Sequence, residues 1–432
     1  MKILFIYPNI TRQTTPQIGI ASLLSIISQK HQVLFFDLTI IPMGQEIPLF
    51  ISALRDYKPD FVLISCRSNE WGIVRRFLEI SYPIPTIIGG IHPTICPEEV
   101  LQYSKIIVRG EAEETLSEVL ECLEGDRDIR QIENVWIKER GQIRQNHLRP
   151  LIQDLDKLPY PEWKFFDKNH FYFSYIKSLF PWIECVGTFE TSRGCPYSCT
   201  YCCNAYLQEL YKGLGNYHRK KSPQRIVEEI KRFKELYPEC NFIYFVDETF
   251  MIDEDWLREF NRLYDKTPFV FMTRPEMITR EKMQLIADSG GKAVSIGVEN
   301  GNEKFRKEVL NRRTTQQQII QAFKIAKDYN LHTYSFNMVG LPYETADDIL
   351  ATIRLNKRIK PDKAQFTIFF PFRGTKLYEV CQREGYIKEK LPDLFSYYGK
   401  SFLDLPNFKK GELEEWAKRA ERECNIKGRQ ND

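Results

Sequence analysis

Short apolar runs alternate with amphipathic helical stretches in two series along this chain of 432 residues. In the first series the β-rich runs cover residues 2–7, 32–38, 60–65, 85–88 and 105–108. In the second they cover residues 186–191, 241–246, 269–273, 293–298, 333–339 and 364–370. Apolar strands separated by helices are typical of parallel sheets covered on both faces. The alternation therefore predicts two α/β domains.

The two series predict different architectures. The first favours a doubly wound, Rossmann-like parallel sheet closed by a small hairpin within residues 134–146. The second has six βα units, too few for an eight-stranded barrel, so we expect an open, partial (β/α)6 barrel. The predicted division is an α/β domain at 1–150, a proline-containing linker at 151–184, a partial barrel at 185–390 and an extension at 391–432, with a charged helix at 410–424.

Composition excludes several classes of protein. The chain is 43% hydrophobic and 28% charged, which is typical of a globular protein. A net charge of only +3 gives no electrostatic reason to expect nucleic acid or an acidic membrane as a partner. No run approaches the ~18 apolar residues of a membrane span, and the first residues form a strand rather than a secretory signal. We expect a cytoplasmic protein.

Four of the eleven cysteines fall within nine consecutive positions. Cys195, Cys199 and Cys202 follow a strand on a loop shaped by glycine and proline, and three convergent thiolates can hold three irons of a cubane cluster. The fourth iron then stays open for a cofactor or substrate. The alternative is a structural zinc ion, with Cys203 or Cys185 as fourth ligand, in a non-catalytic binding protein. Adjacent cysteines chelate one tetrahedral ion poorly, so we favour the cluster.

The segment TSRGCPYSCTYC at residues 191–202 resembles the radical SAM superfamily, whose cysteines have this spacing and an aromatic residue before the third. The resemblance extends over most of residues 185–390. It implies a [4Fe-4S] cluster on Cys195, Cys199 and Cys202 that binds and cleaves S-adenosylmethionine (SAM).

Later segments resemble the cofactor contacts of the same family, in the same order. The acidic motif at Asp247 and Glu248 is the expected partner of the SAM amino group, and Glu299 lies in the motif expected near the ribose. An arginine suits the SAM carboxylate. The residues predicted to contact SAM, from the resemblance and from charge and shape together, are Tyr201, Asp247, Glu248, Arg274, Glu299, Arg312, Gly340 and Pro342. For the charged members, surface exposure or a salt bridge is the alternative interpretation.

Three segments of the first domain resemble the cobalamin-binding domain that often precedes radical SAM domains: PQIGI at 16–20, IGGIHPT at 88–94 and VRGEAE at 108–113. Glycines at strand ends let the backbone approach an extended ligand. The predicted cobalamin contacts are Ser65, Gly89, Gly90, His92, Gly110 and Glu111. No histidine follows an aspartate by two positions, so a histidine-ligated cobalt is not supported. A hydrogen-bonded loop histidine is the alternative for His92.

Together the resemblances imply a cobalamin-dependent radical SAM enzyme. In methylating members a 5′-deoxyadenosyl radical abstracts hydrogen and the substrate radical takes a methyl group from methylcobalamin. We therefore predict methylation of an unactivated carbon in a small-molecule or natural-product substrate, with an external one-electron reductant such as flavodoxin or ferredoxin. The alternative with the same cofactors is cyclisation, ring contraction or oxidation without methyl transfer.

Overall fold

The computed structural model describes residues 1–81, 83–388 and 399–425. The described chain divides into two compact units. Unit 1 comprises residues 1–185 and 211–216, and unit 2 comprises the remaining described residues. Each unit contains its own sheet, so each is described separately.

Unit 1 is built on a seven-stranded sheet in the order β2-β1-β3-β4-β5-β6-β7. Its strands are β1 Lys2–Tyr7, β2 Gln32–Asp37, β3 Phe61–Ser65, β4 Thr86–Gly89, β5 Ile106–Val108, β6 Val135–Glu139 and β7 Gln142–Gln145. Its helices are α1 Ile18–Ile27, α2 Glu46–Tyr57, α3 Trp71–Ser81, α4 Ile91–Ile95, α5 Pro97–Val100, α6 Glu113–Glu124 and α7 Asn169–Tyr172. Strands β1–β5 pair in parallel, and β6 and β7 form the antiparallel hairpin. The doubly wound sheet is confirmed.

The strand order of unit 1 changes direction between β1 and β3, because β2 lies on one side of β1 and β3 on the other. In open α/β sheets the ligand crevice lies at such a switch point, beyond the carboxyl ends of the strands. The loops after β1 and β3 flank that point. The fold itself therefore selects residues 8–16 and 66–69 as walls of a crevice.

Residues 151–184, predicted as a linker, pack on unit 1. Glu162 donates its backbone N–H to the carbonyl of Ala21 at 3.0 Å. The buried ring of His170 lies 2.6 Å from Asp37 Oδ2 through Nε2 and 2.7 Å from the Thr14 carbonyl through Nδ1. By its contacts this segment belongs to unit 1. The division of the chain into four parts remains a prediction.

Unit 2 is built on a six-stranded sheet whose strands follow chain order, β8-β11-β12-β13-β14-β15. Its strands are β8 Cys185–Phe189, β9 Ser192–Arg193, β10 Arg219–Lys220, β11 Cys240–Phe245, β12 Phe269–Thr273, β13 Gly291–Glu299, β14 His332–Val339 and β15 Lys363–Ile368. Its helices are α8 Cys203–Leu210, α9 Pro223–Leu236, α10 Glu254–Leu263, α11 Arg280–Asp288, α12 Glu303–Glu308, α13 Gln316–Asp328, α14 Ala346–Ile359, α15 Lys376–Arg383 and α16 Glu412–Cys424. Neighbours from β11 to β15 pair in parallel. The outer strands β8 and β15 leave the sheet open, which confirms the partial barrel.

Helix starts in unit 2 follow the sequence signals. The Ser222 hydroxyl accepts the N–H of Arg225 and caps α9, with proline as the first helical residue. Thr345 and Asp348 form a capping box at the start of α14. The helix predicted at 410–424 is α16. The predicted boundary at 390, and residues 391–398 and 426–432 of the predicted extension, lie outside the described residues.

The described helices are short. The longest, α9 and α14, have 14 residues each. A membrane span needs about 20 predominantly apolar residues. Accordingly, none of the helices in the described part of the chain combines the length and the apolar character needed to cross a bilayer.

Candidate cluster and cofactor sites

The three predicted cluster ligands lie on one loop that follows β8. Cys195 and Cys199 are buried, and Cys202 is half-buried just before α8. Gly194 has a φ of +79°, and a Cβ at this position would collide with the carbonyl of Tyr217. Only glycine allows the chain to enter the loop along this path. The loop is thereby placed at a strand carboxyl end, where parallel sheets bind ligands.

The three thiols lie near one another without closing around a single ion. Burial raises the pKa of Cys195 to about 11, and the charges of Cys202 and Cys199 add to the increase. Two sulfurs bound to one zinc at about 2.3 Å cannot be more than about 4.6 Å apart. In the described part of the chain, no three cysteine sulfurs all lie within 4.8 Å of one another. The spacing of the described cysteines therefore does not match the zinc alternative.

The second half of the cysteine loop is held by the segment that follows α12. Thr200 donates its N–H to the carbonyl of Leu310 at 3.2 Å. The Asn311 amide donates to the Ser198 carbonyl at 2.9 Å and to its hydroxyl at 3.0 Å. Asn311 has a φ of +52°, a left-handed conformation that asparagine tolerates better than most residues. These bonds fix the backbone on both sides of Cys199.

Asp247 holds the entry to the same loop. Its buried carboxylate accepts hydrogen bonds from the Thr191 N–H at 3.0 Å, the Thr191 hydroxyl at 2.6 Å and the Ser192 hydroxyl at 2.5 Å. Burial raises the pKa of Asp247, and these hydrogen bonds oppose the increase. The structure thus uses Asp247 to hold the strand end that leads to the cysteines.

Glu248 is the second member of the predicted acidic motif. Its side chain is partly exposed, whereas that of Asp247 is buried. Partial desolvation nevertheless raises the pKa of Glu248 to about 7, and the charges of Asp247 and Glu190 contribute to the increase. Of the two acids, Glu248 is the one with room for a bound ammonium group.

Arg312 brings three of the predicted SAM residues together. Its Nη1 lies 3.0 Å from Tyr201 Oη and 3.3 Å from Glu299 Oε1, and its Nη2 donates to the Gly297 carbonyl at 2.8 Å. Glu299 has a φ of +65° at a register shift in β13. Arg312 Nε is buried, and no described residue offers it an acceptor. A buried donor in this position fits a polar ligand.

Arg274 lies against a predicted cluster ligand. Its Nη1 is 3.2 Å from Cys199 Sγ, its guanidinium is 3.7 Å from the ring centre of Tyr197, and its Nε donates to Glu276 at 2.6 Å. The sequence predicted a contact with the SAM carboxylate, and the structure adds a contact with a thiol.

Gly340 and Pro342 lie in the turn after β14. The N–H groups of Gly340 and Leu341 donate to Glu344 Oε2 at 2.5 and 3.2 Å, and the Asn300 amide donates to Oε1 at 2.7 Å. Pro342 is buried. Burial raises the pKa of Glu344 to about 8 despite these donors. Sequence reasoning did not select Glu344, although an acid directly after a strand-end turn was a usable signal.

In unit 1 the predicted glycines are brought together by backbone contacts. The Thr94 hydroxyl donates to the Gly90 carbonyl at 2.8 Å and accepts the Gly110 N–H at 2.9 Å. Cys66 donates its N–H to the Gly89 carbonyl at 2.8 Å. Gly90 has a φ of +103°, and a Cβ there would lie 2.8 Å from backbone atoms of Cys66. The turns after β3, β4 and β5 therefore meet at the carboxyl edge of the sheet.

The other predicted cobalamin residues have different surroundings. Ser65 ends β3 beside Gly89. The His92 side chain is only 3% exposed, with Nδ1 3.2 Å from Ser68 Oγ. The Glu111 N–H donates to Tyr211 Oη at 3.0 Å. His92 and Glu111 thus make contacts within unit 1, and their roles as cobalamin contacts stay predictions.

Two polar residues at the switch point of unit 1 were not among the predicted cobalamin contacts. Asn9, after β1, is fully buried and donates to the Thr39 hydroxyl at 2.9 Å. Arg67, after β3, donates to Asn9 Oδ1 at 3.2 Å and to Glu70 at 2.5 Å. The usable signal was a polar residue placed directly after a buried parallel strand, which is where the crevice lies.

Comparisons with known proteins agree with this geometry. The profile of the radical SAM superfamily matches residues 189–355, and that of the B12 binding domain matches residues 11–120. An uncharacterized methyltransferase of Pyrococcus horikoshii is 28% identical, over 88% of this chain and 83% of that protein. The anaerobic magnesium-protoporphyrin IX monomethyl ester cyclase of Cereibacter sphaeroides is 25% identical, over 76% of this chain and 54% of that protein.

A solved structure shows the same fold over nearly the whole chain. It is the radical S-adenosylmethionine methyltransferase TsrM of Kitasatospora setae with cobalamin and a [4Fe-4S] cluster bound. The TM-score is 0.70, with 15% identity, over 97% of this chain and 84% of that one. The fold, the two profiles and the cysteine loop agree. The chain is an enzyme of the radical SAM superfamily in which a B12 binding domain precedes the radical SAM domain.

Proposed function

We propose that this enzyme methylates an unactivated carbon of a small-molecule or natural-product substrate, using a [4Fe-4S] cluster, SAM and cobalamin. The observation that carries the proposal is the set of three free thiols on a braced loop at the strand ends of unit 2, in a chain whose other unit has a B12-binding fold. The similarity to a methyltransferase over 88% of the chain supports methyl transfer.

Cys195, Cys199 and Cys202 are the proposed cluster ligands, since three thiolates leave one iron open. When bound, the cluster supplies the electron that cleaves SAM, and the cobalamin carries the methyl group. The protein's part is to hold both groups in place. The hydrogen bonds that Asp247 accepts and Asn311 donates keep the cysteine loop in one conformation, which lowers the cost of ordering it around a cluster.

The proposed SAM contacts divide by charge. Glu248 is the partly exposed carboxylate available to the ammonium group, and its raised pKa places half ionisation at about pH 7. Arg312 offers the buried Nε donor to a carboxylate or hydroxyl oxygen, while Glu299 and Tyr201 hold its Nη1. A charged donor in a buried site binds an oxygen ligand more strongly than an exposed one, because solvent screens it less.

For cobalamin, the proposed surface is the carboxyl edge of the unit 1 sheet. Gly89 and Gly90 lie at the end of β4 and Gly110 follows β5, so backbone without side chains lies at two neighbouring strand ends. Arg67, which Asn9 Oδ1 holds at 3.2 Å, lies beside the switch point of the same edge and is the proposed partner of amide side chains of a corrinoid. No residue of this set is proposed as a cobalt ligand.

A second candidate keeps all three cofactors but forms a ring or oxidises the substrate without methyl transfer. The 25% identity to an anaerobic cyclase over 76% of the chain favours it as the alternative. The two candidates differ in product mass, because methylation adds one methylene to the substrate and ring formation or oxidation does not.

The test begins with anaerobic purification in the presence of cobalamin and reconstitution with iron and sulfide. We expect about four irons per chain, the visible spectra of cluster and cobalamin, and SAM cleavage when flavodoxin or ferredoxin supplies electrons. Candidate substrates are then incubated with SAM carrying a labelled methyl group, and label in the product supports the methyltransferase. Zinc in place of iron, or no cleavage by the iron-loaded protein, contradicts the proposal.

A further inference from the structure

Arg274, predicted from the sequence to contact the SAM carboxylate, also lies beside a proposed cluster ligand. It is the first residue after β12 and is 6% exposed. Its Nη1 lies 3.2 Å from Cys199 Sγ, which is a hydrogen-bond distance for a sulfur acceptor. A permanently charged donor therefore contacts one of the three sulfurs proposed to bind iron.

The guanidinium of Arg274 is fixed from two further directions. Its Nε donates to Glu276 Oε1 at 2.6 Å, and the Tyr197 ring centre lies 3.7 Å from its central carbon. Glu276 is held in turn by the Thr314 hydroxyl, which donates to its other oxygen at 2.7 Å. The donor is thus preorganised toward the sulfur before any cofactor arrives.

A second, neutral donor faces another proposed ligand. The Asn204 Nδ2 lies 3.5 Å from Cys202 Sγ. Tyr217 donates its hydroxyl to Asn204 Oδ1 at 2.6 Å, which turns the amide nitrogen toward the sulfur. Two of the three proposed ligand sulfurs therefore accept an N–H bond from a side chain, one of them charged.

These contacts have a consequence for electron transfer. Reduction adds one negative charge to an iron–sulfur cluster, and hydrogen bonds to the sulfurs and nearby positive charge favour the reduced form. The effect is large in a buried site, where solvent and salt screen charges poorly. We propose that Arg274 sets the reduction potential of the cluster by raising it through Cys199, and that Asn204 makes a smaller contribution in the same direction through Cys202.

This inference rests on the proposed function, because it requires a cluster on the three cysteines, and it adds a role that SAM binding does not include. It is tested on the full chain, reconstituted anaerobically and kept free of SAM. Reductive titrations followed by electron paramagnetic resonance give the midpoint potential of the wild type, Arg274→Met, Arg274→Gln and Asn204→Leu. Since SAM is absent, a role of Arg274 in binding SAM cannot change the result.

The matched control is Arg280→Gln. Arg280 belongs to the same unit, and its exposed side chain is paired with Asp328 at 2.6 Å, so this variant removes one positive charge away from the sulfurs. We expect Arg274→Met to make reduction about tenfold less favourable than in the wild type, which is about 59 mV for one electron. Arg274→Gln, which keeps a neutral donor, and Asn204→Leu shift less in the same direction, and Arg280→Gln shifts least.

Equal potentials in Arg274→Met and Arg280→Gln, with four irons bound in both, overturn the inference while leaving the proposed function intact. If Arg274→Met does not take up a cluster, Arg274→Gln decides by the same comparison with Arg280→Gln. A wild-type chain that takes up no four-iron cluster contradicts the proposed function itself, so the two failures are distinguished by iron analysis.

Discussion

The two candidate sites of this enzyme are built from different parts of the chain. In unit 2 the site is made by side chains, since Asp247, Arg274 and Asn311 each bond to the cysteine loop. In unit 1 the predicted site is made by backbone, with Gly90 and Gly110 linked through one threonine. The first site therefore depends on which side-chain groups are present, and the second depends on the close approach of neighbouring atoms that glycine allows.

The first prediction removes the side chains on which the unit 2 site depends. Cys195→Ala, Cys199→Ala and Cys202→Ala combined should reduce iron from about four per chain to near zero and abolish SAM cleavage, because no other thiolates replace the ligands. Iron and sulfide analysis, the visible spectrum and a cleavage assay check this. Cobalamin binding should persist, since unit 1 is unchanged. Cys122→Ala, in unit 1, is the matched control, and cleavage by the triple variant would refute the ligand assignment.

The second prediction fills space in unit 1. Gly90→Ala places a Cβ 2.8 Å from the Cys66 backbone at a φ of +103°, so we expect at least about a tenfold loss of cobalamin affinity with cluster content unchanged. Spectroscopic titration with cobalamin measures it. Gly44→Ala is the control, because Gly44 has a φ of +84° with no atom within 4 Å of a Cβ. The Gly44→Ala variant has only the conformational cost of a side chain at a positive φ, about 1–2 kcal/mol. Equal losses in both variants would contradict a site formed by close backbone approach.

The same comparison explains what could be predicted from the sequence. Strands β1 and β12 were predicted at their observed bounds, and the other strands of the two large sheets within two residues, because hydrophobic periodicity and turn residues are local signals. The two-residue strands β9 and β10 were not predicted, because they are too short to show a periodicity. The grouping of the three cysteines on one loop was also predictable, because they are seven residues apart at most. Local patterns specify elements and short motifs.

The partners of polar side chains were not predictable, because they come from distant parts of the chain. Asp247 bonds to Thr191, 56 positions away, and Arg274 lies against Cys199, 75 positions away. Glu344 was missed because its donors become available only when the turn after β14 folds beside Asn300. The residue type determines what a side chain can bind, whereas the fold determines which neighbour it contacts.

The third prediction weakens one side-chain bond of the unit 2 site. Asp247→Asn replaces an acceptor oxygen by an NH2 group that faces the N–H and hydroxyl donors of Thr191 and Ser192. A buried donor left without an acceptor costs about 1–3 kcal/mol, so unfolding should need correspondingly less denaturant, and the iron content after reconstitution should fall. Asp255→Asn, at an exposed position in the same unit, is the control. An unchanged iron content would show that the loop does not need this bond.

The smallest predicted effect is on the pH dependence of stability, and it follows from comparing one buried glutamate from each unit. Burial raises the pKa of both Glu70 and Glu344, but Glu70 has Arg67 as an ionic partner, whereas the described contacts of Glu344 are N–H donors only. For Glu344 the folded pKa of about 8 exceeds the unfolded value of 4.5. The folded state therefore keeps a proton that the unfolded state releases, and stability is highest below about pH 4.5 and falls as the pH rises toward 8.

Glu344→Gln removes this titration. Between pH 5.5 and pH 8, the free energy of unfolding of the wild type should fall by roughly 1–2 kcal/mol relative to that of the variant. This is less than the value obtained from about 1.4 kcal/mol per pKa unit, because the N–H donors stabilise part of the charged form. Denaturant titrations at a series of pH values measure the difference. The exposed Glu308→Gln serves as control and should follow the wild type at every pH. If the Glu344→Gln and wild-type curves run parallel, Glu344 is ionised throughout, and three N–H donors suffice to hold a buried carboxylate without a cation.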